Sequence, residues 1–140
     1  MSNKRTSLEY QGRNELRHHN WDVTQTDNIA FNSGSETNAH LIAKAQVGFY
    51  LKRNGWRVDS EVENRETGAI ADIVAYGRDD PPFVVEVETD ITEEIRDKKL
   101  KQFYRGEPYS EVFILEVNDL PADRATQLDW LDRQLPGDRP

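Results

Sequence analysis

The fold is decided by the sequence AIADIVAYGRDDPPFVVEVE, which runs from residue 69 to residue 88. It holds two apolar runs, 69–76 and 83–88, and their β-branched and aromatic residues are typical of strands. Between the runs lie Gly, Asp and Pro, which favour turns. The pattern therefore predicts a β-hairpin that turns near Asp79.

The spacing of apolar residues on both sides of the hairpin predicts the other elements. Helices are predicted over 35–54, from about 90 to 104 and over 122–135, and strands over 56–62 and 111–117. The predicted order is αβββαβα. The predicted fold class is α/β (α+β), with an αβββαβ core, a central mixed sheet flanked by helices, and an additional carboxyl-terminal helix.

A chain of 140 residues has room for one compact domain. We predict this domain over residues 34–135, with a tail over 136–140. Residues 1–33 are polar with few aliphatic side chains, and such a composition rarely buries enough surface to offset chain entropy. They are therefore predicted to form a flexible amino-terminal arm.

Several side chains of the predicted arm could contact nucleic acid. Those that could touch phosphates are Arg13, Arg17, His18 and His19. Trp21 and Phe31 could stack on bases or on the body of the protein. The adjacent histidines lack the i, i+4 spacing of a helical metal pair. A disordered tail with no such contacts is the plainer interpretation.

The composition excludes several classes of function. The chain has no cysteine, so it can form neither a disulfide, a thiolate zinc site nor a cysteine nucleophile. No apolar run approaches the roughly 18 residues of a membrane span, and the amino terminus lacks the apolar stretch of a signal peptide. We expect a soluble, cytoplasmic protein with no membrane partner.

The chain carries a formal net charge of −8, from 26 acidic and 18 basic residues. This charge argues against nucleic-acid binding, because basic surfaces supply most non-specific affinity. However, acid-rich, lysine-poor chains are common in salt-adapted organisms, and concentrated salt shortens electrostatic repulsion. The charge is therefore compatible with a DNA-binding protein of a halophilic organism, or of its virus or plasmid.

Three acids interrupt the apolar strands of the hairpin: Asp72, Glu86 and Glu88. Strand alternation puts Glu86 and Glu88 on one face, and a turn near Asp79 puts Asp72 opposite Glu86. Cross-strand neighbours have Cβ atoms about 4.5–5.5 Å apart, so ionised carboxylates would repel each other. A divalent cation would relieve this repulsion, and hard oxygen ligands suit Mg²⁺ or Mn²⁺. Salt bridges from Arg57 and Lys44 are an alternative to the metal.

The element order and these acids resemble the PD-(D/E)XK (restriction-endonuclease-like) nuclease superfamily. The resemblance covers roughly residues 36–117. It implies that Asp72 is the first motif acid, that Glu86 is the second, and that Glu88 stands at the position usually held by lysine. Glu36 matches an extra acid found on the first helix of many members. The implied activity is that of a Mg²⁺- or Mn²⁺-dependent endonuclease that hydrolyses phosphodiester bonds in DNA.

Two residues depart from the family pattern. Ala71 replaces the proline before the first acid, which is a common relaxation. Glu88 replaces the lysine that normally positions the attacking water. Some members with this fold use Glu-x-Glu, and in others the lysine has moved to the following helix. On that helix Lys99 is our first candidate and Lys98 the second.

Two residues of the first predicted helix could also belong to the site. Glu36 lies near the helix start, where the helix dipole alone favours an acid. His40 would lie on the same face of the helix as Glu36. A histidine there more typically lies on the helix surface or supports a neighbouring site residue than acts as a general base.

Three functions remain open at this stage. The first is a metal-dependent deoxyribonuclease. The second is a catalytically inactive module with the nuclease fold that binds nucleic acid or a protein partner. The third is a salt-adapted domain whose acids bind cations only for stability. The sequence leaves open whether the substrate is DNA or RNA and whether the protein forms a homodimer.

Overall fold

The computed structural model describes residues 3–23, 38–89, 91–103 and 111–135. From α2 onwards the elements follow the predicted order. They are α1 (Asn3–His18), α2 (Asn38–Arg53), β1 (Arg57–Glu63), β2 (Ile70–Tyr76), β3 (Phe83–Glu88), α3 (Glu93–Phe103), β4 (Glu111–Glu116), a short 3₁₀ helix (Val117–Asp119) and α4 (Arg124–Gln134). None of the helices in these ranges is long and apolar enough to cross a membrane.

The four strands form one mixed sheet in the order β1-β2-β3-β4. β2 is antiparallel to both β1 and β3, and β4 runs parallel to β3 after the crossover through α3. The β2–β3 register pairs Ala75 with Phe83 and Ile73 with Val85, which centres the hairpin on Asp79 as predicted. The prediction of a central mixed sheet flanked by helices is confirmed.

One face of the sheet is covered by α2 and α4. Val47 and Leu51 of α2 and Leu131 of α4 pack on Ile73 and Val85, and all five are at most 1 % exposed. Asp123 caps α4 by accepting a hydrogen bond from the Thr126 amide. This layer fixes α2, and hence its side chains, against the middle of the sheet.

The other face is covered by the amino-terminal segment, so the prediction of a flexible arm is wrong for residues 3–23. Residues 3–18 form α1, and Trp21 forms a β-bridge with Asn64. Leu16 and Trp21 are fully buried in a second cluster that includes Val74 and Val84. The arm was predicted from its low apolar content. However, a few apolar side chains are enough to pack the segment onto an apolar face of the sheet.

The packing of this segment bears on the predictions made for Trp21 and Arg17. Trp21 packs on the body of the protein, so it is not available to stack on bases. The Arg17 guanidinium donates to the Val23 carbonyl oxygen at 3.0 Å and ties down the chain after α1. Phe31 lies outside the described residues.

Candidate functional site

The candidate site lies where the β2–β3 ladder ends. The paired positions stop at Ile73 and Val85, and one further step puts Asp72 opposite Glu86. There the Asp72 amide donates to Glu86 Oε2 at 2.7 Å, and the Val87 amide donates to Asp72 Oδ2 at 2.9 Å. Each carboxylate thus accepts a backbone amide of the opposite strand, and the two bonds fix the carboxylates beside each other.

The surroundings of both carboxyl groups disfavour their charged forms. Glu86 is 1 % exposed, and burial together with the Asp72 charge raises the pKa of Glu86 to about 8. Burial also raises the pKa of Asp72, against the opposing effects of the Val87 amide, His40, Lys44 and Lys99. The site would therefore gain from an additional positive charge.

Lys99 of α3 bridges the two glutamates of β3. Its Nζ donates to Glu86 Oε1 at 2.9 Å and lies 3.0 Å from Glu88 Oε1. Burial lowers the pKa of Lys99, but the two glutamates outweigh burial and raise it above its ordinary value. The shared lysine places Glu86 and Glu88 on one face of β3. Of the two lysines predicted for the site, Lys99 reaches the acids, whereas Lys98 is exposed on α3.

His40 approaches Asp72 from α2. Its Nε2 lies 2.7 Å from the Val87 carbonyl oxygen and 3.5 Å from Asp72 Oδ2. Because a carbonyl oxygen only accepts, Nε2 carries the proton and donates it. His40 therefore holds the end of β3 in place beside the Asp72 carboxylate. This is the role of a positioning residue rather than that of a general base.

A fourth acid that the sequence did not reveal, Glu61, stands opposite Asp72 on the other side of β2. The β1–β2 pairs pass from Ser60 with Ile73 to Val62 with Ala71, so Glu61 and Asp72 face each other between them. Glu61 has a positive φ of 52° and its carboxylate is ion-paired with Lys44 of α2. The sequence of residues 65–68, RETG, favours a turn, and counting back from it would have placed Glu61 in this row.

The row of acids across three strands, Glu61, Asp72 and Glu86, is joined by Glu88 at the end of β3. The structure therefore brings together the predicted residues Asp72, Glu86, Glu88 and Lys99. Glu36 lies outside the described residues. Among the described residues, Lys44 contacts Glu61, and Lys99 contacts both Glu86 and Glu88. By formal charge, the acids exceed these ammonium groups by two.

The donor chemistry of the row suits a hard divalent cation. Mg²⁺ is commonly held by one or two carboxylates with water filling the remaining positions, and Asp72 and Glu86 lie side by side. Across the described residues, no group of three His, Cys, Asp or Glu side chains is arranged to hold a metal ion. Glu88 pairs with Lys99 in this arrangement, so it would meet a cation on Asp72 and Glu86 only if the ammonium moved.

Comparison with family models, with curated proteins and with solved structures gives no match. The likeness to the PD-(D/E)XK superfamily therefore rests on element order and on the placement of the acids alone. The function therefore has to be inferred from the chemistry of the site.

Proposed function

We propose that the protein is a Mg²⁺- or Mn²⁺-dependent nuclease that hydrolyses phosphodiester bonds in DNA. The observation that carries the proposal is the meeting of Asp72, Glu86 and Lys99 at the end of the β2–β3 ladder. Burying acids in apolar strands costs stability, so acids that lie there are expected to serve a purpose. A cation site with an adjacent ammonium gives them one.

Each residue has a defined task in this proposal. Asp72 and Glu86 would hold the cation, which supplies a water of lowered pKa and stabilises negative charge on the phosphodiester. Lys99 would orient the attacking water and offset charge that develops on the phosphate. Glu88 holds the Lys99 ammonium over Glu86, and His40 supports Asp72.

The position of Lys99 bears on the main departure from the family pattern. Glu88 stands where the superfamily usually has lysine, but Lys99 of the next helix puts its ammonium 3.0 Å from Glu88. A positive charge thus stands beside the second motif acid although it comes from another element. This supports the variant in which the lysine has moved, and with it a restriction-endonuclease-like core.

The test is metal-dependent cleavage of supercoiled plasmid and branched DNA at high salt. Outer-shell partners of a metal are worth 10–100-fold, so loss of a ligand in Asp72→Asn or Glu86→Gln is expected to reduce the rate by at least about 100-fold. Glu63→Gln, an exposed acid on β1, is the matched control and should leave the rate unchanged. Circular dichroism would check that the variants are folded. Full activity in both site variants would refute the proposal.

A second candidate is a catalytically inactive module with the nuclease fold that binds nucleic acid or a protein partner. It is favoured by the contacts of Lys99, whose ammonium occupies Glu86 Oε1 and Glu88 Oε1 at once. The net charge of −8 favours a protein partner over nucleic acid within this candidate. Binding of DNA without turnover in Mn²⁺ would favour this candidate, and metal-dependent cleavage would eliminate it.

A further inference from the structure

Lys44 and Glu61 lie beside the proposed metal site, but the mechanism above does not use them. Lys44 is fully buried on α2 and is ion-paired with Glu61, whose side chain is 22 % exposed. A buried ammonium is costly unless carboxylates compensate for the lost water. The pair thus places one positive and one negative charge next to Asp72.

The backbone at Glu61 indicates that this placement is under constraint. Glu61 lies in the middle of β1 with a φ of 52°, in the left-handed region that residues with a Cβ rarely adopt. The deviation falls at the position that faces Asp72 across the β1–β2 register. Strained backbone of this kind tends to persist where a side chain must be held for function.

The positive charge of Lys44 also acts on Asp72. Lys44 is ion-paired with Glu61, and Glu61 faces Asp72 across the β1–β2 register. A cation bound to Asp72 would therefore be repelled by Lys44 and attracted by Glu61, since both charges lie next to the proposed ligand.

We propose that Lys44 and Glu61 set the affinity of the site for its divalent cation, with Glu61 strengthening the binding and Lys44 weakening it. The inference rests on the proposed function, because it concerns the cation held by Asp72 and Glu86. The opposed signs separate it from a purely structural ion pair. A structural pair would change the stability of the protein when broken, and would leave the dissociation constant of the folded protein for the cation unchanged.

The experiment is calorimetric titration of Mn²⁺ into the metal-free 140-residue chain. Lys44→Met replaces the ammonium with an apolar side chain of similar length, and is expected to tighten Mn²⁺ binding about tenfold, the order of magnitude for one poorly screened charge. Glu61→Gln is expected to weaken binding by a similar factor. The double variant should bind Mn²⁺ nearly as the wild type does, because both charges are gone.

Matched controls remove the same charges at a distance from the site. Lys52→Met lies two turns further along α2, and Glu63→Gln two residues further along β1, and both residues are exposed. Neither should change the dissociation constant. Thermal unfolding of each variant would show that it is folded, and if Glu61→Gln is not, Lys44→Met and the double variant still decide the result.

The outcomes separate this inference from the proposed function. Opposite shifts in the two single variants support it. Mn²⁺ binding that is lost in Asp72→Asn but unchanged in Lys44→Met and Glu61→Gln, or shifted in the same direction in both, overturns the inference and leaves the proposed function standing. A wild-type chain that does not bind Mn²⁺, or binds it equally well after Asp72→Asn, overturns both.

Discussion

The two ends of the β2–β3 hairpin differ in what holds the strands together. At the turn end, backbone pairs join Ile73 to Val85 and Ala75 to Phe83, and their apolar side chains are buried under α2 and α4. At the open end, the carboxylates of Asp72 and Glu86 replace the ladder and accept backbone amides. Only a few residues separate the two arrangements.

We therefore expect the turn end of the hairpin to determine stability and its open end to carry function. Apolar pairs bury surface and specify the register, whereas buried carboxyl groups cost free energy and need partners. β2 and β3 follow the apolar pattern of buried strands except at Asp72 and Glu86. An isolated exception of this kind is expected at a functional site. The comparison predicts that mutations at the turn end affect folding and that those at the open end affect chemistry.

The largest expected effect is a loss of stability that distinguishes Ile73 from its neighbour Asp72 on β2. Ile73→Ala removes a fully buried side chain from the core and should lower the free energy of unfolding by about 2–5 kcal/mol. Asp72→Asn keeps an acceptor for the Val87 amide and removes a charge that burial disfavours, so it should leave stability nearly unchanged. Urea unfolding of both variants measures the difference. Equal losses would mean that the open end is an ordinary part of the core.

The next largest effect is expected to distinguish Lys99 from its neighbour Lys98 on α3. Lys99→Met removes the ammonium shared by Glu86 and Glu88, and should slow metal-dependent DNA cleavage by about 100-fold. Lys98→Met removes the same charge from the exposed neighbour and should have no effect. Initial rates of plasmid nicking at saturating Mn²⁺ would compare them. The roles of the two lysines would have to be reassigned if Lys98→Met caused the greater loss.

The sequence predicted the part of the fold that repeats a simple pattern. Strand alternation in residues 69–76 and 83–88 gave the hairpin, its centre at Asp79 and the placement of Asp72 beside Glu86. These features follow from local periodicity, because strand side chains alternate and a hairpin's register is set by its turn. They needed no knowledge of the rest of the chain.

The sequence did not predict what depends on contacts between distant segments. The role of α1 was missed because its apolar side chains are few, although the run Ile73, Val74 and Ala75 in β2 indicated a strand buried on both faces. Those two faces required two covering layers. The register of the turn at residues 65–68 would have placed Glu61 opposite Asp72, but its pairing with Lys44 depends on α2, which lies elsewhere in the sequence.

The remaining expected effect concerns the pH dependence of stability. The pKa of Glu86 is about 8 in the folded protein and near its ordinary value of 4.5 in the unfolded chain. Between these values the folded state keeps a proton that the unfolded state has lost, so the metal-free protein should become less stable as pH rises from about 4.5 to about 8. The raised pKa of Asp72 acts in the same direction. Lys99 titrates above this range and does not contribute to the change.

Glu86→Gln isolates this effect from the other acids, because glutamine stays neutral throughout. The difference in thermal midpoint between wild type and Glu86→Gln should grow in favour of the variant as pH rises from 4.5 to 8. Saturating Mn²⁺ should reduce the difference at the upper end, since a cation beside Glu86 stabilises its charged form. A difference that does not change with pH would show that Glu86 is already ionised in the folded protein. In that case Lys99 alone would balance its charge.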